Sequence, residues 1–102
     1  MTLEEFGAIL SRTELPVAYR SFNGDTPQLP YICYLNPYDN NFAADGKVYS
    51  AAKHIQVELY TKVKDETIEQ KVKDVLSDFF YTREEEYLKE EQCWQIIFEL
   101  EV

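Results

Sequence analysis

Three residues set the range of side-chain chemistry open to this chain: His54, its one histidine, and the cysteines Cys33 and Cys93. Nucleophilic catalysis needs a histidine beside a Ser or Cys and an orienting acid. His54 has only Gln56 and Glu58 on its side of an alternating stretch, with no Ser or Cys motif around it, so it reads as a surface or interface histidine. A zinc site needs several His or Cys ligands at suitable spacing, and no clear set is present. Asp39-Asn40-Asn41 followed by Asp45-Gly46 has oxygen ligands suggestive of calcium, but lacks the alternating positions and closing Glu of a calcium loop. Three glycines cannot form a phosphate-cradling loop. In Glu84-Glu85-Glu86 the neighbouring carboxylates point to opposite faces of a strand, a poor acid/base pair. The expectation is a protein that is not an enzyme, with no catalytic residues, no cofactor and no metal.

The elements that would position these residues follow from periodicity. Thr2 and Glu5 form a capping box that opens a helix with Leu3, Phe6, Ile9 and Leu10 on one stripe, ending near Arg12 ahead of Pro16. Residues 17–22 read as a short strand, and Tyr31–Leu35 as a second one bracketed by Pro27 and Pro30. Residues 36–46 read as a turn-rich loop ending in the reversal signal Asp45-Gly46. From Val48 to Thr61 apolar and polar residues alternate, with Ile55, Val57 and Leu59 on one side and His54, Gln56 and Glu58 on the other. That strand is longer than a chain of 102 residues usually needs. Beyond Lys62 the period becomes helical: Ile68, Val72, Val75, Leu76, Phe79 and Phe80 share a stripe, with Asp65 or Thr67 as the cap. Two strands close the chain, 82–88 and 92–101. The second sets Trp94, Ile96, Phe98 and Leu100 against Gln95, Glu99 and Glu101. The order α-β-β-β-α-β-β predicts an α+β fold, with a mostly antiparallel sheet and two helices on one face. Residues 1–102 form one domain.

Composition narrows the function. Hydrophobic residues make up 45% and aromatic residues 15%, too much apolar material for a disordered chain. No apolar run approaches the roughly 20 residues of a membrane span. The first residues, Met1-Thr2-Leu3-Glu4-Glu5-Phe6, are acidic where secretion signals are basic, so a soluble intracellular protein is expected. In that setting the two cysteines are expected to be reduced. The formal charge of −9 argues against binding nucleic acid through its phosphates. From Arg83 to Glu101 seven carboxylates face only Arg83 and Lys89, a balance of −5. This reads either as a solvated strand face or as a surface that repels DNA or meets a basic partner. The tyrosines at 31, 34, 49, 60 and 87 either border the core or anchor an interface.

Several segments together resemble a family of small tail proteins of siphophages and prophages of Gram-positive bacteria. They are residues 15–19 (LPVAY), 29–34 (LPYICY), 39–49 (DNNFAADGKVY), 55–61 (IQVELYT) and 98–102 (FELEV). That family is in turn similar to the tail-terminator, or tail-completion, proteins of lambda-like phages. The resemblance covers most of the chain from Leu3 onward and is densest at the Asp45-Gly46-Lys47-Val48-Tyr49 exit and the strand after it. It implies a virion structural protein, present in the host cytoplasm during assembly and in the tail afterwards. Its homo-oligomeric ring, a hexamer, would sit on the tail tube protein, stop tube growth and meet the head connector protein. No sequence-specific contact with nucleic acid and no membrane are implied. On this reading the interface draws on the loop and the polar side of the long strand: Tyr38, Phe42, Asp45, Lys47, His54 and Gln56. Two alternatives stand beside it, another head–tail joining or minor tail subunit, and an acidic regulatory module such as an antitoxin or DNA mimic.

Overall fold

The computed structural model describes the backbone of residues 1–44 and 47–102 and the side chains of residues 1–40 and 52–102. Along the chain run α1 (Leu3–Ser11), β1 (Val17–Tyr19), β2 (Tyr31–Ala44), β3 (Lys47–Thr61), α2 (Glu66–Val75), β4 (Tyr81–Leu88) and β5 (Cys93–Glu101). This is the expected α+β order. The five strands form one sheet in the order β1-β2-β3-β5-β4. Only the short β1–β2 pair is parallel. Strand β5 lies between β3 and β4, which makes β3-α2-β4 a split crossover.

Both helices bury their stripes against one face of this sheet. Phe6 and Leu10 of α1, with Val72 and Leu76 at α2, join Ile32, Ile55, Val57, Leu59, Ile96, Phe98 and Leu100 in a single core. The period of two in β3 and β5 puts these residues on the helix side. The register confirms the match, with Ile55 opposite Leu100, Val57 opposite Phe98 and Leu59 opposite Ile96. Each fully buried side chain of this kind contributes about 1.5–3 kcal/mol. The α1 capping box forms as expected: Glu5 N donates to Thr2 Oγ1 (3.1 Å) and Thr2 N to Glu5 Oε1 (2.9 Å). Asp65 caps α2 by accepting from Ile68 N (3.1 Å). Gly7 lets the two layers meet, since a Cβ there would come within 2.4 Å of the Tyr34 hydroxyl. That hydroxyl donates to Leu3 O (3.1 Å), tying β2 to the first turn of α1.

Three element boundaries differ from the sequence expectation. Strand β1 stops at Tyr19 because Arg20 turns into the left-handed region (φ 66°). The chain then crosses to the other side of the sheet, where Phe22 lies edge-on to Tyr31 with centroids 5.3 Å apart. Strand β2 does not end at Leu35 but runs through the expected loop to Ala44. The register slips between Leu35 and Tyr38, and Pro37 sits in that irregularity, where its missing N–H interrupts no regular ladder. Helix α2 ends at Val75, so Phe80 is not part of its stripe. Phe79 takes the place at the core, 5.8 Å from Phe6, and the next residue of the now extended chain is turned away. Phe80 is 102% exposed.

Candidate functional site

Strands β2 and β3 stay paired well beyond the rest of the sheet. Their ladder runs from Tyr31↔Tyr60 out to Ala44↔Lys47, whereas β5 leaves β3 at His54↔Glu101. A last pair of backbone bonds joins Lys53 and Val102 (2.9 and 3.0 Å). Past that point residues 39–44 and 47–52 continue as a two-stranded ribbon, here called the arm. At the rise of an extended strand it projects about 20 Å from Lys53 to Lys47. It gives the molecule its length, 49 × 27 × 27 Å. A lone two-stranded ribbon is marginally stable in water. Its first strand, residues 39–44, is rich in Asn, Asp and Ala, residues depleted in strands, which is why that half reads as a loop in sequence while residues 48–52 read as strand.

The root of the arm is fastened by polar and aromatic contacts. The Asn36 amide, set by the irregularity in β2, donates from Nδ2 to both Tyr38 O and His54 O (2.8 Å each). Tyr38 stacks on the His54 ring, with centroids 4.5 Å apart and planes within 6°. Tyr38 is 54% exposed and covers His54, whose side chain keeps only 14% of its exposure. Below the stack, His54 Nε2 lies 3.3 Å from Glu99 Oε1. Asn40 donates its amide to Glu101 Oε1, and Lys53 Nζ donates to Met1 O (3.2 Å).

The sheet face opposite the helices is covered only at one end, by the connection from β1 to β2. From the alternation of the strands it carries Glu58, Glu84, Glu86, Glu99 and Glu101, and among the residues whose side chains are described β2–β5 place no Lys or Arg on it. In its middle Gln56 Nε2 donates to Glu58 Oε2 (2.9 Å), Tyr60 donates to Glu58 Oε1 (3.3 Å), and Gln95 Nε2 donates to the Tyr60 hydroxyl (3.0 Å). Burial, then the neighbouring Glu58 carboxylate, pushes the Tyr60 phenol up to about 12. Both cysteines are free and buried here, and burial pushes both thiols up, the reverse of what an attacking thiolate needs.

A second polar group lies on the helix side. Glu69 keeps 3% of its side-chain exposure and bonds to Lys64 and Arg83. Both cations also reach Glu85 Oε1 (3.1 Å from Lys64 Nζ, 2.6 Å from Arg83 Nη2). Burial alone would raise the Glu69 pKa, but the bonds from Lys64 and Arg83 outweigh it and hold the carboxyl below its usual value. Two carboxylates facing two cations make a neutral, mutually satisfied set. It joins α2 to β4.

Of the residues singled out from sequence, Tyr38 and His54 come together at the arm root. Gln56 lies one alternate position further into the sheet, half-buried and turned to Glu58. Phe42 pairs in the backbone with Ser50, and Lys47 with Ala44, on the arm itself, but their side chains lie outside the described residues. Asp45 lies outside them entirely. Sequence reasoning missed Asn36 and Asn40, which look like turn residues, and Glu99 and Glu101, which look like solvated charge. It also missed Phe80, placed on a helical stripe. The carboxylates had a signal in the alternation of β5, whereas the asparagines had none. Among the described residues no group of three or more His, Cys, Asp or Glu is arranged to hold a metal, and no helix is long and apolar enough to cross a membrane. No protein-family model matches the chain, and no curated protein or solved structure was found to match it.

Proposed function

We propose that this protein is a phage tail-terminator (tail-completion) subunit, a structural protein that assembles into a ring, caps the tail tube and joins it to the head connector. The arm carries this reading. A ribbon of weak strand formers that leaves its own sheet is a feature to be completed by a neighbour, as ring assembly through heterologous contacts requires. The uncovered acidic sheet face supports it further, because a ring lumen lined by carboxylates lets DNA pass without gripping it. The resemblance of residues 39–49 to the tail-protein family falls on the arm and its tip.

Disruption of the gene in a lysogen, followed by electron microscopy of induced lysates, tests the proposal. Tails of uncontrolled length without attached heads, restored to normal by the gene in trans, are expected. Normal virions from the disrupted strain would refute a terminator role. An acidic regulatory module would instead leave virion morphology intact and bind a basic partner with an affinity that collapses in high salt.

A further inference from the structure

At the root of the arm the sheet ends in an open cleft of about 710 Å³, walled by His54, Glu99 and Glu101 on one side and by Asp78, Phe80 and Thr82 on the other. Phe80 stands free over it, an apolar side chain that gains only by being covered. The molecule therefore presents two incomplete features: a ribbon without a third strand and an apolar residue without a cover. We infer that they complete each other between copies, the arm of one subunit lying in the Phe80 cleft of the next. This rests on the ring reading above and names its contact.

Charge favours this occupant. The cleft presents Asp78, Glu99 and Glu101, and no Lys or Arg lines it. Two copies of a chain with a net charge of −9 repel each other over most of their surface. The arm, residues 39–53, carries Asp39 and Asp45 against Lys47 and Lys53 and is neutral, so it approaches an acidic cleft without that penalty. Geometry points the same way. The cleft shares His54 and Glu101 with the root of the same subunit's arm, and from there the β2–β3 ladder runs on past the end of β5. A copy cannot fill its own cleft with its own arm. The contact joins two different patches, and repeated head to tail about an axis it builds a ring where the rotation closes.

Complementation between two variants tests the inference. One is Phe80→Glu, at a fully exposed position, so its fold is retained. The other replaces residues 42–50 by an Asn-Gly turn between the cross-strand partners Asn41 and Ala51, a loop length suited to a hairpin. Analytical ultracentrifugation of the wild type is expected to show concentration-dependent rings. Each variant alone is expected to remain monomeric, with circular dichroism unchanged for Phe80→Glu. An equimolar mixture is expected to give a heterodimer that grows no further, since one intact arm meets one intact cleft. Rings that persist in either variant, or a mixture that stays monomeric, overturn the arm–cleft contact. If wild-type rings form all the same, the ring reading survives. A wild type monomeric at every concentration, with no heterodimer in the mixture, also overturns the contact, and the lysogen experiment then judges the terminator role independently.

Discussion

One strand, β3, passes through two surroundings. From Ile55 to Leu59 it is flanked by β2 and β5, and its inward residues are fully buried beneath α1 and α2. From Lys47 to Ala52 it has β2 alone beside it. The body holds its shape through the apolar area removed from water, whereas among the described residues the arm is held by cross-strand bonds and the fastenings at its root. In the body local propensity and tertiary burial favour the same structure. In the arm the propensity of Asn, Asp and Ala is weak and the ladder is extended by register, so the two levels agree less.

The largest expected effect comes from attacking the body. Phe98→Ala removes a fully buried ring that packs on Tyr81 at 5.4 Å, and a loss of about 3–5 kcal/mol in urea unfolding is expected. Replacing residues 42–50 of the arm by the Asn-Gly turn should cost less than about 1 kcal/mol in the same measurement, because these residues lie beyond the stretch of β3 that β5 flanks. If the two effects prove equal, the division into body and arm fails.

Next in size is Glu69→Gln, expected to destabilise by about 2 kcal/mol at neutral pH. It strips a buried carboxylate from two cations that remain partly solvated, so the loss falls short of that for a fully buried pair. The pH dependence has a definite sign. The folded carboxyl titrates below its unfolded value, so its contribution is complete above the usual carboxylate range near pH 4.3 and disappears as pH falls through the folded value. Urea midpoints of wild type and variant should therefore converge on acidification. A gap that stays constant with pH would assign the effect to packing.

A smaller effect, about 1 kcal/mol, is expected for Asn36→Ala, which leaves two carbonyls at the arm root without their shared donor. Hydrogen exchange sharpens the comparison here. Protection at Asn40 and Ala52 should fall while that at Phe98 does not. Smallest is Tyr38→Ala, which uncovers His54 and removes a stacked pair worth about 0.5–1.5 kcal/mol at most. Its readout is the His54 ring resonances by NMR, which should move toward those of an exposed histidine.

Much of the body is legible in the sequence because its signals are local and redundant. Ile55, Val57 and Leu59 alternate, as do Trp94, Ile96, Phe98 and Leu100, and Thr2 with Glu5 announces the first helix. The misreadings arise where a residue's meaning depends on its neighbour in space. Phe80 fits a helical stripe by spacing, but Phe79 already occupies the place against Phe6. Asn36-Pro37 resembles a loop opening until the register slip lets β2 absorb it. Glu85 belongs to an acidic run in sequence and to Lys64 and Arg83 in the fold. At the candidate site, Tyr38, His54 and Gln56 are visible as polar or aromatic residues on or before a long strand. Their stacking, and the carboxylates beneath them, are not.

Periodicity and capping chemistry by themselves determined the class, the element order and the residues that make the core, because burial of one apolar face drives folding most strongly and its period is written in the chain. Composition determined the acidity. The tertiary structure alone decided how far β2 and β3 run together, because the extent of a ladder depends on partner strands distant in sequence and not on the propensity of Asn, Asp and Ala. It alone set the root of the arm beside an acidic cleft under an exposed phenylalanine, because that neighbourhood joins β2, β3, β5 and the turn after α2, whose residues lie up to 65 positions apart in the chain (Asn36 to Glu101).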